Sequence, residues 1–185
     1  FSLEKYAEVR PEFRARVMAH KKNRRLAIGP NAALYFEDAL TMQYQIQEML
    51  RIERIFEAAG IQEELDAYNP LIPDGSNWKA TFMLEYPDEE ERRVQLEKLI
   101  GIERHVWAQV ADFARVTPVA DEDLEREDEH KTASVHFMRF ELTPEMATAV
   151  KNGATVSMGI DHPAYTYAVE PIAQNIRDSL AGDLG

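Results

Sequence analysis

The chain has 185 residues, 45% of them hydrophobic, and a formal net charge of -12 at pH 7. Its length fits one domain with a sizeable core, and the absence of cysteine excludes disulfides, thiolate nucleophiles and cysteine-ligated zinc or iron–sulfur sites. The acidity argues against general affinity for nucleic acid, and no apolar run approaches the roughly 18 residues that a membrane-spanning helix requires.

The N-terminal part of the chain predicts a helix followed by a pair of short strands. Ser2 can cap a helix that extends to Lys22, and Pro11 is expected to kink or split it. Short strands over 26–28 and 34–37 follow, and the Gly-Pro-Asn sequence between them favours a tight turn. The spacing therefore predicts a hairpin of two strands.

A central helix is the most regular feature of the sequence, because residues 34–57 form the longest helical pattern without glycine or proline. Asp38 or Thr41 can start this helix, and Gly60 can end it in a left-handed cap. Its apolar residues recur at helical spacing, namely Met42, Ile46, Met49, Leu50, Ile52, Ile55 and Phe56. This spacing predicts that one face of the helix packs against a core.

The opposite face of the central helix carries an unusual set of polar residues. They are Gln43, Gln47, Arg51 and Arg54, with Tyr44 and Glu48 on the adjoining row. Neutral amides and a phenol can form hydrogen bonds without the desolvation cost of a charge, which suits a face covered by another element, a ligand or a partner chain. The alternative is that glutamine is present as a good helix former and that the charged residues make local ion pairs.

The loop after the next helix is a second candidate binding site. A short helix is predicted over 61–68, and the loop that follows contains a Pro-Asp-Gly turn. The loop concentrates short polar side chains in a rigid connection, and these are Asn69, Asp74, Ser76 and Asn77.

The remainder of the chain alternates between strands and helices. Strands are predicted over 78–86, 105–113, 133–142, 154–160 and 165–171, with a shorter extended piece over 114–120. Helices are predicted to start at Asp88 and Thr143, and a final helix covers 172–180. The acidic segment 121–131 is expected to stay extended or mobile because its charges repel one another.

These elements do not follow a regular βαβ order, so the sequence predicts an α+β fold. We expect one domain over 1–185, with a mostly antiparallel sheet of five to seven strands, helices packed largely on one face, and the long central helix. The helical segment 39–68 is predicted as an arm that can project from this domain.

Familiar nucleophile and nucleotide-binding motifs are absent, and the candidate metal ligands are histidines with nearby carboxylates. His136 and His162 can approach each other if their strands pair, with Asp161 and Glu141 as oxygen ligands and His105 on a neighbouring strand. Histidines in sheets are more often packed or hydrogen-bonded than ligating. The sequence assigns no metal and no other cofactor.

Phrases along most of the chain resemble an uncharacterised bacterial family of domains of unknown function. The phrases are RPEFRARVMAHKKNRRLAIGP, FEDALTMQYQIQEMLRIERIF, ELDAYNPLIPDGSNWKATFMLEYPD, VHFMRFELTPEM and GIDHPAYTY. The resemblance implies a cytoplasmic protein encoded beside rubrerythrin-like and iron–sulfur oxidoreductase proteins, hence an association with oxidative stress or electron transfer. It implies no catalytic residue.

The leading hypothesis is a cytoplasmic binding or interaction protein that forms a homo-oligomer or binds a protein partner, without nucleic acid or membrane insertion. Its working surface would combine the polar face of the central helix with the loop 69–77. The alternative is a small-molecule or metal-dependent enzyme in which Glu48 acts as a general base beside Tyr44, or in which His136 and His162 form a site. A deep pocket at Glu48 or His136 would favour the enzyme.

Overall fold

A computed structural model describes all 185 residues and contains six α-helices and eight strands. The helices are α1 (Leu3–Lys21), α2 (Ala39–Ile52), α3 (Ala58–Tyr68), α4 (Glu89–Lys98), α5 (Pro144–Lys151) and α6 (Gln174–Ala181). The strands are β1 (Arg25–Ala27), β2 (Ala32–Glu37), β3 (Asn77–Leu84), β4 (Val106–Val110), β5 (Val119–Ala120), β6 (Val135–Glu141), β7 (Val156–His162) and β8 (Tyr165–Val169). Short 3-10 turns cover Asn69–Leu71 and Ile102–Arg104.

The strands form two antiparallel sheets, which confirms the α+β prediction but corrects the expectation of a single sheet. The five-stranded sheet has the order β1-β2-β3-β6-β5, and the three-stranded sheet has the order β4-β7-β8. Alternate residues of β3, including Trp78 and Phe82, are fully buried. These side chains pack with apolar residues of both sheets and of α4, α5 and α6 in one core.

Side-chain caps start the helices where the sequence predicts them. Ser2, Asp88 and Thr143 each accept a hydrogen bond from a backbone N–H in the first turn of their helix. Asp38 caps α2 in the same way, and the Thr41 hydroxyl oxygen accepts a hydrogen bond from the Asp38 backbone N–H in a reciprocal capping box. α1 runs without a break through Pro11, so the predicted split of this helix is wrong.

The predicted long central helix is wrong, because the segment is divided into two helices. α2 ends after Ile52, where the Ile55 N–H donates to the carbonyl of Leu50 and Arg54 adopts the left-handed region with φ 53°. Glycine is the usual residue at that position, and an arginine there gives no sequence signal for the end of a helix. Gly60, the predicted cap, lies inside α3 instead.

Helices α1 and α2 share a small apolar cluster separate from the main core. Tyr6, Phe13 and Val17 are its buried members, and Leu40 and Tyr44 of α2 pack against them. The side chain of Arg10 forms a bidentate ion pair with Glu48 across the two helices. None of the helices combines the length and apolar character that crossing a bilayer requires.

The acidic segment 121–131, for which the sequence predicted an extended or mobile chain, contacts the large sheet through ion pairs and hydrogen bonds. Arg126 binds Asp121 and Asp123, and Asp121 in turn accepts a hydrogen bond from the backbone N–H of Phe137. Buried His136 contacts Asp121 Oδ2 through Nδ1 at 2.6 Å. The ion pairs of Arg126 and the hydrogen-bonding contact of His136 thus hold these carboxylates in place, an effect that composition alone does not reveal.

Candidate functional site

An apolar cleft lies between α2, α3 and the turn that follows α3. Its volume is about 360 Å³. The residues that line it are Phe1, Ala39, Gln43, Ile46, Gln47, Leu50, Ile61, Leu65, Asn69 and Ile72. Three residues that the sequence analysis singled out from two separate segments, Gln43, Gln47 and Asn69, therefore meet in one cleft.

Gln47 is the most unusual member of this cleft. The residue is only 4% exposed, yet its amide makes no hydrogen bond within the chain. Neither polar atom of this amide is fully enclosed, so the amide remains in contact with water at the surface of the cleft. The Gln47 amide is therefore positioned to pair with a group that enters the cleft from outside.

Tyr44 and Glu48 lie on the side of α2 that faces α1, and not in this cleft. Glu48 accepts hydrogen bonds from Arg10 Nε, at 3.1 and 3.2 Å to its two oxygens, and from Nη2 at 2.8 Å. The hydrogen bonds from Arg10 hold the pKa of Glu48 below its ordinary value, against the opposing effect of burial. A carboxylate fixed in an ion pair between two helices is suited to holding them together and is a weak general base.

Arg51 lies in the last turn of α2, and Arg54 follows the end of this helix. Both side chains are exposed, and neither forms an ion pair within the chain. Two apolar residues are exposed beside them, Ile52 at 63% and Phe56 at 68%. We call residues 51–57, where α2 turns into α3, the tip of the α2–α3 hairpin.

α3 contributes little to the protein interior, since no residue of this helix is buried. An amphipathic helix normally buries its apolar stripe against the rest of the fold. Here Ile61 and Leu65 remain half-buried and form one wall of the cleft. One face of the hairpin thus has apolar side chains without a covering element.

The polar residues of the loop after α3 mostly satisfy one another. Asp74 accepts hydrogen bonds from the Ser76 backbone and hydroxyl, which lower the pKa of Asp74. Asn77 is buried, accepts from the Asp74 N–H and donates to Glu141. The two side chains hold a turn together and do not contribute groups to the cleft.

The three histidines of the metal hypothesis do not converge. β6 and β7 belong to different sheets, so the strand pairing on which a shared His136 and His162 site depended does not occur. His162 donates from Nε2 to the Ile100 carbonyl and accepts at Nδ1 from the Ala164 N–H. The His105 and His162 rings do meet edge to face at 5.2 Å, with His105 Nδ1 on the Asp161 carbonyl.

Sequence reasoning missed a second cleft, at the acidic segment. Glu103 lines it together with Asp121 and Glu127 of the acidic segment, although Glu103 lies in a different part of the chain. The only sequence signal was the density of carboxylates over 121–131, and nothing linked Glu103 to that segment.

Comparison with known proteins identifies relatives but no activity. The model of the family described as "Protein of unknown function (DUF3501)" matches residues 1–184. The chain is 53% identical to a novel protein of unknown function from Burkholderia pseudomallei K96243, known from a crystal structure at 1.90 Å resolution. The alignment covers 100% of this chain and 96% of that one, with a TM-score of 0.94. No functionally curated protein gives a significant match. The chain therefore belongs to the DUF3501 family of proteins of unknown function.

Proposed function

We propose that this protein is a cytoplasmic interaction protein and that its working unit is a homodimer paired through the α2–α3 hairpin. The observation that carries the proposal is the presence of an exposed apolar tip and an uncovered apolar cleft on the same hairpin. Two copies of such a surface can each fill the cleft of the other. A symmetric pair of this kind closes on itself and leaves neither apolar surface exposed.

The positions of tip and cleft favour an antiparallel arrangement of the two hairpins. Ile52 and Phe56 lie at the tip, whereas Ala39, Asn69 and Phe1 mark the opposite end of the cleft, which we call the root. Only an antiparallel pair brings the tip of each copy to the root of its partner. Phe56 then supplies an aromatic anchor of the kind that dominates binding at interface centres.

Charge supports the same arrangement. The tip carries Arg51 and Arg54, which form no ion pair in their own chain, beside the exposed Glu53 and Glu57, and α3 exposes the carboxylates of Glu63 and Asp66 closer to the root. In an antiparallel pair the arginines of one copy approach the carboxylates of the other. Complementary charges of this kind set the register and the association rate more than the affinity.

The unpartnered amide of Gln47 gives the sharpest test. The Gln47→Glu variant places a carboxylate in the mostly apolar cleft, where pairing with a second chain would remove it from water. We expect the dimer dissociation constant to rise on the order of 100-fold, equivalent to roughly 3 kcal/mol. Sedimentation equilibrium over a range of protein concentrations measures this constant directly.

The matched control is Gln174→Glu, which makes the same change of charge on the exposed face of α6, away from the hairpin. This control should dimerise like the parent protein. Phe56→Ala, at a solvent-exposed tip position that does not support the fold, should weaken the dimer as well. A parent protein that stays monomeric, or equal dissociation constants for Gln47→Glu and Gln174→Glu, would refute the proposal.

An accessory role in oxidative stress or electron transfer is the biological setting that we propose for this dimer. It rests on the resemblance to proteins encoded beside rubrerythrin-like and iron–sulfur oxidoreductase proteins. Because the chain has no cysteine to ligate an iron–sulfur cluster, the role would be that of a binding partner of such proteins. Co-purification of this protein with such an oxidoreductase from their native source would support this role, and separate elution of the two proteins in size-exclusion chromatography would argue against it.

A further inference from the structure

A second cleft lies beside the short strand β5, where the acidic segment 121–131 follows that strand. Its volume is about 650 Å³. Six carboxyl side chains line it, from Glu103, Asp121, Glu122, Asp123, Glu125 and Glu127. Arg104 and Arg126 are the only basic residues among its walls, so the cleft carries an excess of negative charge.

Most of these carboxylates are already paired. Arg126 binds Asp121 and Asp123, Arg104 binds Glu127, and Glu122 binds an arginine of β6. Two acceptors are left over. Glu125 is exposed and forms no ion pair within the chain, and one oxygen of Glu103 has no partner.

Glu103 is the important one of the two, because it is buried. Its side chain is only 6% exposed and lines the cleft. Oε1 accepts a hydrogen bond of 2.9 Å from Arg104, whereas Oε2 meets no donor. Carboxylate oxygens buried without a donor are rare, since the desolvation of the charge is then not repaid by any hydrogen bond.

The groups around Glu103 decide which protonation state its carboxyl group favours. Burial raises the pKa of Glu103, the nearby Glu127 carboxylate raises it further, and His136 and Arg104 act in the opposite direction. While both carboxyl groups are ionised neither can donate, but a proton on Glu103 supplies a donor toward Glu127. The site is thus arranged to hold either a proton or another positive group.

We propose that this cleft binds an aliphatic ammonium ion of the diamine or polyamine class, with one ammonium group on Glu103 Oε2. An ammonium group carries three donors, which can satisfy Oε2 and neighbouring carboxylates together. Pro118, Ala120 and Leu124 supply apolar wall for the methylene chain between the charges. Exposed Glu125 is available for a second ammonium group nearer the opening.

A bare divalent metal ion fits the cleft less well. Calcium or magnesium needs six or more oxygen ligands that converge on one point. No three histidine, aspartate or glutamate side chains of this chain are grouped closely enough to hold a metal ion. The carboxylates instead spread along the cleft, most of them beside a guanidinium group, which suits an elongated organic cation.

The proposal makes a pH-dependent prediction whose sign follows from the raised pKa of Glu103. The protonated form is favoured in the empty cleft, and a bound cation favours the ionised form. Binding therefore releases a proton from Glu103, and affinity increases as the pH rises through the pKa of Glu103 in the empty cleft. Spermidine titrations by calorimetry, in buffers of different ionisation enthalpy, measure both the affinity and the proton release.

The variant that tests the site is Glu103→Gln, which keeps the shape of the side chain and removes its titration. We expect spermidine to bind at least about tenfold more weakly than to the parent protein and without proton release, because a charged hydrogen bond is lost. Glu125→Gln, at an exposed position, should weaken spermidine binding to a smaller extent without affecting folding.

Glu129→Gln provides the matched control, since it removes the same charge from an exposed residue of the acidic segment that does not line the cleft. It should bind spermidine like the parent protein. Three results would overturn the proposal: no saturable binding of spermidine, equal weakening by Glu103→Gln and Glu129→Gln, or displacement of spermidine by equimolar magnesium chloride. Equal weakening would mean a diffuse attraction to the acidic surface.

Discussion

The Asp183→Ala variant is expected to lose about 3–5 kcal/mol of unfolding free energy, the cost of leaving a buried charge without its partner. Asp183 forms two hydrogen bonds with Arg24, at 2.6 and 3.2 Å. Arg24 is 2% exposed and also donates to the carbonyls of Phe36 and Glu37. Removing the carboxylate leaves the guanidinium buried without its closest counter-charge.

Urea denaturation followed by circular dichroism measures this loss. Asp178→Ala is the matched control, because Asp178 lies in α6 shortly before Asp183, and its own side chain is 54% exposed where it pairs with Arg177. Exposed ion pairs contribute about 1 kcal/mol or less, so this variant should remain close to the parent protein. Similar losses of unfolding free energy in the two variants would show that the buried Arg24–Asp183 pair stabilises the protein no more than the Arg177–Asp178 pair does.

The Arg24 contact also bears on the proposed interface. Arg24 Nε lies 3.4 Å from Asp38 Oδ2, and Asp38 caps the N-terminus of α2. His20 Nε2 contacts the same carboxylate oxygen at 2.5 Å. The C-terminal tail, the end of α1 and the root of the hairpin are therefore linked through one buried guanidinium.

His136→Leu should destabilise the protein by about 2–4 kcal/mol, because two buried polar groups lose their hydrogen bonds. The His136 ring is fully buried and contacts Asp121 through Nδ1 and the Thr132 hydroxyl through Nε2 at 2.8 Å. Leucine fills the space but leaves Asp121 Oδ2 and the hydroxyl without partners. Thermal and urea denaturation measure the loss.

Asp121→Asn separates this specific pairing from a general packing effect. Asparagine keeps the shape of the side chain and removes the charge that His136 faces. In the His136→Leu background the additional cost of Asp121→Asn should be at least about 1 kcal/mol smaller than in the parent protein. Additive costs would contradict a direct coupling between the two residues.

The local structure of this protein can be predicted from its sequence where short-range chemistry decides the outcome. The helix starts at Ser2, Asp88 and Thr143 follow from a single side chain that accepts a nearby N–H. The alternation of β3 follows from the period of two in a half-covered strand. Each of these features depends on residues within a few positions of one another.

The features that could not be predicted depend on distant residues or on an unfavourable local conformation. Arg54 ends α2 in the left-handed region, which carries a steric cost for any residue with a Cβ, so Gly60 gave a stronger but misleading signal. The division into two sheets depends on strand pairing across the whole chain. The order of the acidic segment depends on Arg126 and on His136 of β6.

The candidate site also combines features that could be predicted from the sequence with features that could not. The amides of Gln43 and Gln47 stood out because neutral polar groups replaced the charges expected on a solvated helix. Their apolar surroundings were not foreseen, since the wall opposite them comes from Ile61 and Leu65 after an unpredicted turn. Glu48, on the adjoining row, faces α1 because Arg10 lies there.

The most direct test of the hairpin dimer uses the absence of native cysteine, which makes any introduced thiol unique. Glu57→Cys labels the tip and Asn69→Cys labels the root, both at exposed positions. An antiparallel dimer predicts that a short bis-maleimide links the two variants efficiently when they are mixed, and links neither variant to itself. Two results would contradict the account. The first is linking of Glu57→Cys to itself, and the second is a yield for the mixture of Glu57→Cys with Asn69→Cys that is no higher than for a mixture of Glu57→Cys with Glu97→Cys on α4.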